Sequence, residues 1–380
     1  MEIYNSENDI KYKLTSLAGG KVIISGEHSV VYGKPAIAFS IDKYTKMDLK
    51  CFKSSKQFNY FTSVNLLDLK IQIIITKSEL IEHLNNKIQN INNDKYKQHL
   101  IYIITNFFKN LVTKNLDEKR IINYIYNNSI EASISSEIPV GYGLGSSAAY
   151  NVCIINGICL LTNKILGNNI YSKEEILNLS NDGEKIFHNG TPSGIDVSCS
   201  LLGGIIVFRN IKDKNSLNIS EKNFFNEKIK FLLIDTKIKR NGGEFIKIVS
   251  EYKKNNFKEF NDTINDIENV SNNIIKLLSK EKNDENDCFK FFELIKQNQR
   301  LLKKICVSNY EIDKIINLLE KNGFVGKISG AGGGGFIITF YLNEKHNDLI
   351  KLLEENKIEY INVNISKEPA KIIDLKINEI

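Results

Sequence analysis

The sequence predicts an α+β protein of about two domains. Strand-like apolar runs crowd the first part of the chain, helical periodicity dominates residues 243–322, and a glycine-rich strand-to-helix turn lies between them. At 380 residues the chain is long enough for about two domains, burying roughly three-quarters of its unfolded surface.

Taken in order, apolar runs and alternations predict strands at 11–16, 21–25, 36–41, 46–52 and 70–76. Helical stretches follow around 77–90 and 95–113, separated by the Asn-rich segment 85–94. Residues 130–136 alternate apolar and polar side chains and read as a strand, whereas the small and apolar residues from Ala148 to Leu161 read as a buried helix. Another helix is expected near 173–187, carrying Glu184. Between strands at 203–208 and 230–235 the apolar density falls, so 209–228 is the expected boundary between a first domain, 1–208, and a second, 229–380. Within the second, residues 279–287 read as a solvated helix connection, and strands flank a glycine run near 330. No period of 20–50 residues repeats, which argues against a solenoid.

Chemistry is first legible at residues 139–149, Pro139-Val140-Gly141-Tyr142-Gly143-Leu144-Gly145-Ser146-Ser147-Ala148-Ala149. Glycines at alternate positions remove Cβ atoms and let the backbone approach an oxyanion. The following helix then presents its unpaired N–H groups and the positive end of its dipole to that anion. Ser146 and Ser147 stand where N-cap hydroxyls belong and also suit phosphate or Mg2+. Taken alone, such a turn is as often simple tight packing. The pattern is no P-loop, since G-x-x-x-x-G-K-[ST] is absent, and Ser146 replaces the third glycine of a dinucleotide fingerprint. The H-R-D and D-F-G triplets of protein kinases are absent too.

Three further segments stand out. Residues 19–35 run Gly-Gly-Lys-Val-Ile-Ile-Ser-Gly-Glu-His-Ser-Val-Val-Tyr-Gly-Lys-Pro, delivering Lys21 at one end of a short strand and Glu27-His28 at the other. His188 to Asp196 is a turn-rich segment ending in an acid. In Gly330-Ala331-Gly332-Gly333-Gly334-Gly335 five of six residues are glycine, a run whose chain entropy is tolerated only where the backbone lies close to a ligand or to another backbone.

Together these segments resemble the three motifs of the GHMP kinases, and specifically their mevalonate kinase branch. The resemblance spans about residue 18 to residue 340, and the Lys21–Pro35 and Thr191–Asp196 segments narrow it to that branch. It implies the two-domain GHMP fold, with an N-terminal ribosomal-protein-S5-like α/β domain, a C-terminal ferredoxin-like α+β domain and the active site in the cleft between them. It also implies transfer of the γ-phosphate of ATP to the primary hydroxyl of mevalonate, giving 5-phosphomevalonate on the route to isoprenoids. Another small-molecule kinase of the family, for phosphomevalonate or homoserine, and a non-catalytic ATP-binding sensor are the competing readings.

By the same resemblance, Asp196 is the catalytic base and Lys21 stands beside it and the developing alkoxide, because a carboxylate alone is a poor base for an alcohol. Ser147 and Glu184 hold Mg2+; Gly141, Tyr142, Gly143, Leu144, Gly145, Ser146 and Ser147 wrap the phosphates of ATP; Ser136 contacts the nucleotide; Glu27 and His28 line the mevalonate pocket. In isolation a lone Lys or Glu is usually a solvated surface group, and a lone His a packed one. Three positions depart from the family pattern. Gly19 replaces a proline, Asn189 is an apparent one-residue insertion upstream of the base, and Gly242 replaces a threonine that lies near the reacting groups.

Composition fits this reading. The formal charge of +6 is mild, and no Arg/Lys stripe with interleaved aromatics argues for nucleic acid. A modest positive bias suits ATP and a carboxylate as ligands. The six cysteines form no C-x-x-C, the N-terminus does not read as a signal peptide, and no apolar stretch was expected to approach the roughly 20 residues of a membrane span. A reduced, cytoplasmic enzyme without a membrane partner is expected. A homodimer is compatible with the sequence but not specified by it.

Overall fold

The computed structural model describes residues 10–54, 59–85, 94–166, 169–188, 192–209, 217–219, 228–239, 242–280 and 282–378. Asn189, most of the Asn-rich 85–94 segment, most of the expected boundary 209–228, and Arg240-Asn241 beside Gly242 lie outside the described residues.

The first half of the chain runs β1 (Ile10–Ser25), β2 (Ala36–Lys53), β3 (Tyr60–Leu66), β4 (Ile71–Thr76), α1 (Lys77–Leu84), α2 (Lys95–Thr113), α3 (Glu118–Asn127), β5 (Asn128–Ser136), α4 (Ser146–Leu166), α5 (Lys173–Phe187), α6 (Ile195–Leu202), β6 (Ile205–Phe208) and β7 (Leu217–Ile219). There follow β8 (Ile229–Asp235), α7 (Gly242–Asn255), α8 (Phe257–Leu278), α9 (Glu285–Lys304), α10 (Tyr310–Lys321), β9 (Val325–Ile328), β10 (Phe336–Leu342), α11 (His346–Glu355), β11 (Tyr360–Asn362) and β12 (Lys371–Ile377). Several helices begin at reciprocal caps: Thr76 with Glu79, Ser172 with Glu175 and Asp284 with Asp287 each satisfy N-terminal backbone donors.

The first sheet has eight strands in the order β12-β1-β2-β5-β3-β4, with β6 on β2 and β7 on β6. The expected strands 11–16 and 21–25 are one continuous strand, as are 36–41 and 46–52, and β1 and β2 pair along nearly their whole lengths. The register shifts at Gly19/Gly20, where the sequence suggested a break. A Cβ on Gly19 would lie 2.5 Å from Ser40 Oγ, so the strand continues there only as glycine.

Helix α4 packs across this sheet, and a Cβ on Gly157 would meet Ser16 Oγ at 2.9 Å. Among the described residues α4 alone is long and apolar enough to cross a membrane, which the sequence reading of a shorter helix did not anticipate. Its apolar side chains instead form the core: Val152, Cys153 and Cys159 have no exposed surface.

The second sheet is antiparallel, in the order β11-β8-β10-β9. One buried cluster joins the two sheets, with Phe231 of β8 in ring contact with Phe39 of β2 at 4.6 Å and with Phe340 of β10 at 6.1 Å. The last strand, β12, returns to the first sheet and pairs with β1 from Tyr12↔Ile377 to Leu17↔Lys371. A second domain drawn as 229–380 therefore surrenders its final strand to the first.

Candidate active site

The Lys21 end of β1 is built against the glycine loop 141–145. The Lys21 N–H donates to the Leu144 carbonyl at 2.8 Å, and a Cβ on Gly145 would lie 2.8 Å from Lys21 Cγ. Gly141, Gly143 and Gly145 have φ of +86°, +86° and +75°, conformations that side chains resist. Helix α4 starts at Ser146, directly after this loop, and a helix's first-turn N–H groups have no partner within the helix.

Helix α6 supplies the acid. Gly194, at φ +84°, turns the chain into the helix and places Asp196 in its first turn. Ser200, one turn on, donates its hydroxyl to the Gly19 carbonyl at 2.7 Å, docking α6 on β1. The result is an ion pair: Lys21 Nζ lies 3.2 Å from Asp196 Oδ1, with the lysine side chain 3 % exposed and the aspartate 25 %. The cation is buried while the carboxylate still faces the cleft.

Across the loop, Ser147 Oγ donates to Glu184 Oε1 at 2.6 Å. Glu184 is buried, and its Oε2 has no hydrogen-bond partner. A hydroxyl and a buried carboxylate oxygen left without a partner fit a hard divalent cation. His188 Nε2 lies 2.9 Å from the same Oε1, and this contact raises the imidazole pKa above its usual value. The sequence reading gave His188 no role, although its i,i+4 spacing from Glu184 on α5 was the available signal.

These groups line one cleft of about 910 Å³, together with Ser136, His28 and the Gly330-Ala331 end of the glycine run. The Ser136 and Thr45 hydroxyls share a hydrogen bond of 2.9 Å, and the Ser136 N–H donates to Asp68 at 2.6 Å. His28, at φ +59°, sits 3.0 Å from the Ala331 carbonyl through Nε2. The side chains of two members of the expected cradle do not line the cleft. Leu144 is buried, and the Tyr142 ring packs on Phe336. Glu27 borders the cleft, but both its oxygens are engaged, one by Lys327 and the other by Asn298 Nδ2 at 3.1 Å. It lines the cleft with each oxygen already holding one partner.

Past Gly330 and Ala331, which line the cleft, the glycine run lies against other backbone. A Cβ on Gly332 would lie 2.3 Å from the Val307 carbonyl oxygen, one on Gly334 2.6 Å from that of Ile238, and one on Gly335 2.3 Å from that of Tyr142.

Comparison with known proteins agrees with this geometry. Residues 106–204 match the GHMP kinases N terminal domain and residues 281–361 the GHMP kinases C terminal domain. Mevalonate kinase of Archaeoglobus fulgidus is 32 % identical over 328 residues, covering 86 % of this chain and 92 % of that protein. The chain belongs to the mevalonate kinase family. Mevalonate kinase of Schizosaccharomyces pombe is 26 % identical over 359 residues, covering 90 % of this chain and 86 % of its own. A solved mevalonate kinase structure superposes with a TM-score of 0.70 at 26 % identity, covering 93 % of this chain and 100 % of that one. The two-domain fold expected of a mevalonate kinase from the sequence is thus the fold observed.

Proposed function

We propose that the protein transfers the γ-phosphoryl group of ATP to the primary hydroxyl of mevalonate, yielding 5-phosphomevalonate and ADP. The observation that carries this reading is the Lys21–Asp196 pair at the floor of a cleft whose other wall is the glycine loop. Asp196 accepts the hydroxyl proton as the oxygen attacks. Lys21 offsets the negative charge developing on that oxygen, and its own burial strengthens the effect. The backbone N–H groups from Gly143 to Ser147 hold the phosphates, and the N-terminus of α4 favours their charge. Ser147 and Glu184 would hold Mg2+, which when bound neutralises phosphate charge and orients the transferring group. His28, held by the Ala331 carbonyl, contributes to the acceptor side of the cleft. We assign Glu27 to support of that wall. Burial of five of the six free cysteines suits a reduced, cytoplasmic compartment.

A coupled assay of ADP release across mevalonate, phosphomevalonate and homoserine tests the reading. Mevalonate alone should support turnover. ADP release with another acceptor only would reassign the substrate, and none with any acceptor would point to an ATP-binding sensor.

A further inference from the structure

We propose that Lys327 is a positioning residue for phosphoryl transfer, acting through a buried ion pair with Glu27 that fixes the catalytic end of β1. The two residues are 300 positions apart, and neither side chain has exposed surface. Lys327 sits on β9 in the second sheet, next to the strand's end, and its ammonium also donates to the Ile23 carbonyl at 3.3 Å and the Ile328 carbonyl at 2.6 Å. The inference rests on Lys21 and Asp196 acting as proposed above.

The surrounding contacts form a polar seam. Asn298 of α9 donates to the second oxygen of Glu27 and accepts the Ser25 hydroxyl at 3.1 Å. Ser25 and Ser271 of α8 share a hydrogen bond of 2.8 Å, and the Ile23 N–H donates to Ser329 Oγ at 3.2 Å. Ile23, Ser25 and Glu27 are thus each tied to the second sheet or its helices. Lys21 lies two residues upstream of Ile23, with its own N–H held by Leu144. The strand is fixed on both sides of the point where its ammonium meets Asp196.

Stability alone does not account for such a pair, because a buried ion pair is often no better than a well-packed apolar one. Its charge balance has a further consequence. Lys21 is close enough to disfavour the charge on Lys327, and Glu27 offsets that effect. Without Lys327 the buried Glu27 carboxylate lacks its counter-ion, and an uncompensated buried charge disturbs the chain that carries it.

Steady-state kinetics on Lys327→Met, on Glu27→Gln/Lys327→Met and on Asp196→Asn tests the inference. Lys327→Met should lose up to about 10²-fold in kcat with ATP KM held within about threefold, since a small misplacement of reacting groups acts on kcat. The double variant, which removes both charges, should recover at least about tenfold of the lost kcat at unchanged ATP KM. A folded Lys327→Met with near-native kcat overturns the inference, as does a double variant no better than the single. If Lys327→Met does not fold, Asn298→Ala carries the test, because it frees one Glu27 oxygen without unpairing the charge. It should lower kcat about three- to tenfold at unchanged ATP KM, and native kcat overturns the inference. If Asp196→Asn also keeps turnover, the proposed catalytic pair fails rather than Lys327.

Discussion

A Cβ on Gly335 would lie 2.3 Å from the Tyr142 carbonyl oxygen, so the glycine run and the phosphate loop touch backbone to backbone. The C-terminal motif therefore braces the loop proposed to hold the phosphates. Gly335→Ala should weaken nucleotide binding without touching the ligand, since it adds both this clash and a side chain at φ +78°, a strain of about 1–2 kcal/mol. Gly143→Val should do the same from inside the loop, at φ +86°. Calorimetric titration of ATP is the check, and native affinity in both variants would mean that neither contact shapes the cradle.

Glu184 is expected to set the Mg2+ requirement. Glu184→Gln keeps the shape and the Ser147 hydrogen bond but removes the charge. The Mg2+ concentration for half-maximal rate should rise at least about tenfold. An unchanged Mg2+ titration would remove Glu184 from the metal site.

Stability should fall in mild acid because of His99. Burial lowers its pKa to about 4; Nε2 lies 2.9 Å from Asn151 Oδ1, and Nδ1 has no partner. Above about pH 6.5 the imidazole is neutral in both folded and unfolded chains, and its contribution is complete. Between about pH 6.5 and pH 4 the unfolded chain binds a proton that the folded protein refuses, so up to about 3 kcal/mol is lost as pH falls. Asn151 also donates to the Ser180 carbonyl, so this histidine supports α5, the helix that carries Glu184. Chemical denaturation of the native protein and His99→Gln across that range should show a steeper decline in the native protein. Parallel curves would contradict the assignment.

Gly242 opens α7, whose Gly243, Ile246 and Lys247 line the cleft. Restoring the hydroxyl with Gly242→Thr should raise kcat/KM modestly, by roughly tenfold at most, since one neutral hydrogen bond contributes about 0.5–1.5 kcal/mol. A folded variant with reduced activity would show that the position requires glycine.

Site residues at glycine-marked turns were legible in the sequence, because Gly141, Gly143, Gly145 and Gly194 all report local backbone needs. Helix α5 was legible in full, with its Ser172–Glu175 cap and apolar spacing. What the sequence did not disclose was pairing across distance. Nothing near Lys327 announces that its partner is Glu27, because a buried charge looks like a surface one until its counter-ion is placed. The glycine run left ligand and backbone equally open, and only the approach of Val307, Ile238 and Tyr142 separates them. Strand β3 passed unread, its polar Thr62, Ser63 and Asn65 giving little alternation, and α3 was likewise missed. The return of β12 to the first sheet is a tertiary choice that no local pattern encodes.

The central claim is that Asp196, paired with Lys21 at 3.2 Å, takes the acceptor's proton. Single-turnover phosphorylation of mevalonate by Asp196→Asn, with ATP affinity measured on the same preparation, tests it most directly. The amide keeps the shape but cannot accept the proton, so kcat should fall roughly 10²–10⁴-fold while ATP binding holds. Near-native turnover in that variant would contradict the account.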